Sequence, residues 1–182
     1  PIGAADHQVS EAIYLEDPEG NGIEIYSDRE PSEWNIANDF IQMTTDPLNT
    51  EDLLKEAKEA WTGLPERTVM GHIHLHVSDL EKITDFYVKG LGFDIVLPYY
   101  NAVFLSNNGY HHHIAINTWN GASASVHPAN STDLAYYDIT YGGQELLDKQ
   151  LAALKNMGYE LTKKENSYIT TDPAGITIIL SV

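Results

Sequence analysis

The chain has 182 residues, 42% of them apolar, which is enough to bury a core and allows one domain comfortably, or two only if one is small or incomplete. Lys plus Arg number 10 against 27 Asp plus Glu, a formal charge of −17, so the surface repels phosphate backbones and excludes nucleic acid and anionic membranes as partners. There is no cysteine, which removes disulfide frameworks, thiolate metal sites and cysteine nucleophiles and makes a reducing cytoplasm the default compartment.

The chain opens Pro1-Ile2-Gly3-Ala4 and is in an apolar strand almost at once. The expectation is a domain met in its middle, with an N-terminal portion missing or supplied by a partner chain. Residues 11–15 (EAIYL) and 22–26 (GIEIY) are strand-like, and the turn signal Asp17-Pro18-Glu19-Gly20-Asn21-Gly22 makes them a hairpin. Residues 1–27 are therefore read as the C-terminal hairpin of a truncated first domain. Residues 28–67, punctuated by Pro31, Pro47 and Pro65, are read as a linker with one helix. That helix spans Thr50–Trp61, with Thr50 as N-cap and Glu51 and Asp52 at the positive end of its dipole.

Residues 68–182 are read as a complete two-module domain. His72–Val77 (HIHLHV) alternates, so His72, His74 and His76 share one strand face and Ile73, Leu75 and Val77 the other. Ser78-Asp79-Leu80-Glu81 predicts a capping box and a helix that ends near Gly90 or Gly92. Strands follow at 93–97, 102–106 and 111–118, with a turn at Asn107-Asn108-Gly109. The order then repeats: a strand at 134–141, a helix at 144–157 closing on Gly158, and strands at 159–162, 168–171 and 177–182. Glu81 falls opposite Glu145, and His72 opposite Tyr136. A stronger echo links DPEGNGIEI at 17–25 with DPAGITIIL at 172–180.

With these repeats the chain resembles the vicinal oxygen chelate superfamily of glyoxalases, bleomycin-resistance proteins and type I extradiol dioxygenases. The likeness rests on DHQVSEAIYLEDPEGNGIEIY at 6–26, GHIHLHVSDL at 71–80, FYVKGLGFDIV at 86–96 and GYHHHIAINTWNG at 109–121. Two-domain catechol-2,3-dioxygenase-like proteins share most of it. The resemblance implies an α+β fold of paired βαβββ modules forming a cup-shaped mixed sheet, with a divalent metal in the cup.

The resemblance also implies roles. Glu24, seven residues after Asp17, matches a metal-ligating Glu; parity sets it opposite Ile23 and Ile25, and the competing reading is an edge carboxylate facing water. His7 and Tyr14 match an acid–base His and a hydrogen-bonding Tyr, at a spacing shorter than in the best-known members. Tyr14 serves equally as a barrel aromatic, and His7 as a solvated loop residue. His72 matches the first-strand ligand, but the two positions that would complete its usual set hold Tyr136 and Ile179, and Ile cannot ligate. The second domain is therefore expected to lack the usual three-ligand site. His72 either joins His74 or the 111–113 group in an altered site or stands in an unbound polar stripe. His111, His112 and His113 cannot all reach one ion without a bulge; His112 best matches a residue lining the oxygen side of the pocket. His127 sits in a loop and is given no role.

The function implied is a metal-dependent extradiol ring-cleavage dioxygenase, using Fe(II) or Mn(II), a small aromatic diol and O₂, in a homo-oligomer. The rivals are a glyoxalase-type metal-dependent isomerase or transferase, and a metal-free binding protein of the bleomycin-resistance kind. Fold alone does not choose among them.

Overall fold

The computed structural model describes residues 3–122, 132 and 134–182. His127 lies outside them. The chain divides into two compact units, 1–71 and 72–182.

In the first unit β1 (Gly3–Asp6), β2 (Ser10–Glu16) and β3 (Gly22–Asp28) form an antiparallel meander. A two-residue hairpin, β4 (Ile36–Ala37) with β5 (Phe40–Ile41), follows. The short β6 (Asp46–Pro47) then pairs with β1, giving the sheet order β3-β2-β1-β6. Arg29 binds both oxygens of Asp6 at 2.6 and 2.8 Å and Glu11 at 2.9 Å, tying the end of β3 to β1 and β2. Gln8 holds φ +66° in the turn between β1 and β2, where the Asp6 side chain accepts its amide. Val9 and Ala12 are each 1% exposed and form the heart of this small core.

The helix expected at 50–61 is shorter. α1 covers Thr50–Glu56, and its N-cap is Asn49, which accepts the Asp52 amide, rather than Thr50. None of its residues is buried, so no tertiary packing carries it past two turns, and Trp61 stays exposed.

The second unit follows the strand–helix–three-strand order twice. The first module comprises β7 (Ile73–His76), α2 (Leu80–Asp85), β8 (Asp94–Tyr99), β9 (Ala102–Ser106) and β10 (Ile114–Asn117), in sheet order β7-β10-β9-β8. The second comprises β11 (Tyr137–Thr140), α3 (Gln144–Asn156), β12 (Thr162–Lys164), β13 (Ser167–Thr171) and β14 (Thr177–Ser181), in order β11-β14-β13-β12. Each first strand lies parallel to the last strand of its module and the other pairs are antiparallel. This is the α+β class expected, two curled sheets of paired βαβββ modules. Asp79, not Ser78, caps α2 by accepting the Lys82 amide at 2.9 Å. A π turn over Phe86–Gly90 then widens the helix end, with the Leu91 amide reaching the Phe86 carbonyl at 3.1 Å.

One core spans both modules. Phe86, Tyr87 and Leu105 from the first meet Leu154, Ile178 and Leu180 from the second, all fully buried. The modules approach closely at two glycines. A Cβ on Gly90 would stand 2.6 Å from Leu154, and one on Gly92, whose φ is +83°, would stand 2.6 Å from Gln150. Buried polar groups cross the same boundary: Tyr87 donates to Asp172 at 3.1 Å and lies 2.5 Å from the Tyr137 hydroxyl. Burial pushes both phenols well above their usual range, and it raises the Asp172 carboxyl despite the amides that bind it.

Candidate acid–base and metal sites

His7, Tyr14 and Glu24 come together in the first unit. The β2–β3 register sets Tyr14 directly opposite Glu24. Alternation turns both side chains to one face, and the Tyr14 hydroxyl donates to Glu24 Oε1 at 3.0 Å. His7 enters from the turn between β1 and β2, with Nε2 at 2.5 Å from the Tyr14 hydroxyl and 3.9 Å from Glu24 Oε1. The short His-to-Tyr spacing is thus no obstacle, because a tight turn folds His7 back over β2.

The other ring nitrogen of His7, Nδ1, lies 2.6 Å from the Thr44 carbonyl oxygen. A carbonyl only accepts, so Nδ1 carries a proton and Nε2 is the nitrogen left to exchange one. The Tyr14 hydroxyl has one proton and two neighbours able to accept it. Given to His7, it leaves a neutral imidazole. Given to Glu24, it requires His7 Nε2–H to donate to the phenol oxygen, an imidazolium beside a carboxylate. Burial first, then the Glu24 charge and its hydrogen bond, push the Tyr14 hydroxyl far above its usual range. Tyr14 therefore stays protonated and acts as a hydrogen-bond donor.

Glu24 is not a water-facing edge carboxylate. Its side chain is 15% exposed, whereas Ile23 and Ile25 on either side are each 41% exposed. A carboxylate less exposed than its apolar neighbours needs compensation by donors or a cation.

His72 and His112 meet in the second unit. His72, just before β7, and His74 within it lie on one side as their alternation requires, and His112 joins them. Strict alternation back from Ala115, the partner of His74, would have put His113 there. Instead the extended strand begins only at Ile114, and the irregular backbone at 111–113 turns His112 to the histidine face. His113 stacks on Tyr110, 4.9 Å between centroids. His111 is fully buried, its Nδ1 at 2.9 Å from His112 Nδ1. The sequence gives no sign of the Thr44 carbonyl beside His7 or of the contact between His111 and His112. A backbone carbonyl carries no residue-type signal, and His111 is one of three identical neighbours.

The chain belongs to the Glyoxalase/Bleomycin resistance protein/Dioxygenase superfamily, whose family model matches residues 69–180. It is 46% identical over 187 residues to a protein of Bacillus subtilis (strain 168) named catechol-2,3-dioxygenase, in an alignment covering 98% of this chain and 65% of that relative. It thus spans less than two thirds of the length of that relative. Among solved structures it is similar to a possible glyoxalase from Bacillus cereus, at 17% identity and TM-score 0.49 over 63% of this chain and 99% of that one. It is also similar to a lactoylglutathione lyase from Agrobacterium tumefaciens, at 16% identity and TM-score 0.46 over 64% and 94% of the two chains. The histidine group of the second unit is one that could hold an ion. No helix among the described residues is long and apolar enough to cross a membrane.

Proposed function

We propose that the protein is an extradiol ring-cleavage dioxygenase of the catechol 2,3-type, acting in the cytoplasm on a small aromatic diol with O₂. The observation that carries this reading is the convergence of His7 and Tyr14 on Glu24. The 46% identity to a protein named catechol-2,3-dioxygenase supports it. Glu24 would hold the divalent metal, which when bound supplies chelation of two adjacent substrate oxygens and reactivity toward O₂. The residues of this chain manage protons. His7, oriented by the Thr44 carbonyl, accepts a proton from a diol hydroxyl at Nε2 and returns it when the product forms. Tyr14, held protonated by its surroundings, donates a hydrogen bond to a substrate oxygen.

The test is an assay of the whole protein loaded with Fe(II) and given catechol. The expected result is O₂ uptake equal to catechol consumed, with a yellow ring-opened product. Isomerisation of a methylglyoxal–thiol adduct without O₂ uptake would move the protein to the glyoxalase class. Tight binding of an aromatic ligand with neither metal nor turnover would make it a sequestering protein.

A further inference from the structure

The histidine group of the second unit is not used by the function proposed above. One ligating nitrogen from each of His72, His74 and His112 lies within 4.8 Å of the other two. The ring centroids are 4.1 Å apart for His72 and His112, 5.1 Å for His72 and His74, and 5.5 Å for His74 and His112. The group contains no carboxylate. It also differs from the set that the resemblance implies for this domain, in which His72 would be joined by residues at the positions of Tyr136 and Ile179.

We propose that His72, His74 and His112 form a site for a late first-row divalent cation, Zn²⁺ by class, independent of Glu24. Three imidazoles without carboxylate select zinc, cobalt, nickel or copper over magnesium, calcium or manganese. Zinc–nitrogen bonds of about 2.0–2.1 Å in a tetrahedron put the nitrogens about 3.4 Å apart, so modest ring rotations close the site and leave a fourth position for water. Two ligands two residues apart on β7 and a third beside the neighbouring β10 give three directions of approach. The charge of −17 raises the local cation concentration. His112 is then a ligand rather than the pocket-lining residue expected of it.

His111 is the positioning residue. A single proton bridges the two Nδ1 atoms of His111 and His112, which are 2.9 Å apart. When that proton sits on His112, its Nε2 lone pair faces the cation, as in the outer-sphere contacts that fix ligating imidazoles.

The experiment titrates the whole protein with Co²⁺, following the visible absorption of tetrahedral cobalt, and then displaces it with Zn²⁺. The expected result is one equivalent bound at this site, with bands retained in Glu24→Ala. His74→Ala, at an exposed position that the fold tolerates, and His112→Ala should each abolish the bands. His111→Ala should weaken binding by about 10–100-fold while the band pattern persists at saturating Co²⁺. The assignment is overturned if no tetrahedral bands form, if they survive both His74→Ala and His112→Ala, or if Glu24→Ala alone removes them. Failure of the dioxygenase reading would show as absent O₂ uptake and would leave the cobalt bands untouched.

Discussion

In both Asp-Pro turns the aspartate Oδ1 accepts two backbone amides, from Glu19 and Asn21 at Asp17 and from Ala174 and Ile176 at Asp172. In both, the aspartate carbonyl also accepts the turn glycine, Gly20 or Gly175. The strands that follow keep the same register, and the facing pair is Tyr14 with Glu24 in one hairpin and Ile169 with Ile179 in the other. One backbone plan thus carries a hydrogen-bonded phenol–carboxylate pair in the first unit and a hydrocarbon pair in the second. The turn aspartates diverge as well. Hydrogen bonds from Asn21 hold the exposed Asp17 below its ordinary value, whereas burial raises Asp172. Backbone hydrogen bonds conserve the shape of the turn, and the groups packed over it decide its electrostatics.

The sharpest way to break this comparison is to exchange the roles of the facing residues. Glu24→Ala should abolish metal-dependent turnover and lower bound iron in an elemental assay, while Ile179→Ala should leave both unchanged. Equal losses in the two variants would erase the distinction. Next in size, His7→Ala should slow turnover by about 10²–10⁴-fold, read by steady-state kinetics. In the hydrocarbon hairpin the effects fall on stability. Ile178→Ala, at a fully buried position, should cost about 2–5 kcal/mol in denaturant unfolding. The half-buried Ile179→Ala should cost about 1 kcal/mol.

The smallest effect lies in pH dependence and has opposite signs at the two turns. With its folded value raised, Asp172 holds its proton more tightly when folded. Its contribution is fully present below 3.8 and is lost as pH rises from there through the folded value. With its folded value lowered, Asp17 contributes above 3.8 and loses that contribution as pH falls through the folded value. Asp172→Asn should therefore remove a decline in stability with rising pH, and Asp17→Asn a decline with falling pH. Unfolding curves between about pH 3 and 7 check both signs.

Alternation and turn residues made much of this legible in advance. The face shared by His72 and His74, the parity of Glu24 and the Asp-Pro hairpins followed from period-two strands, and the paired modules from their repeated order. What stayed hidden depended on departures from regular backbone. Gln8 at positive φ folds His7 onto Tyr14, and no glycine marks that turn. The late start of β10 selects His112 over His113. α1 stops at Glu56 because the apolar residues Leu54 and Ala57 find no surface to cover, which helical spacing does not reveal.

The Thr44 contact with His7 is made by a peptide oxygen, and so it is invisible to genetics that works through side chains. A scan replacing residue 44 with every other amino acid would keep that carbonyl each time and score the position as tolerant. The acid–base geometry would survive while the residue beneath it drifted. Only a change that moves the backbone at residue 44 should release that carbonyl from the imidazole. A functional map built from substitution tolerance alone would leave blank the group that fixes which nitrogen of His7 carries a hydrogen.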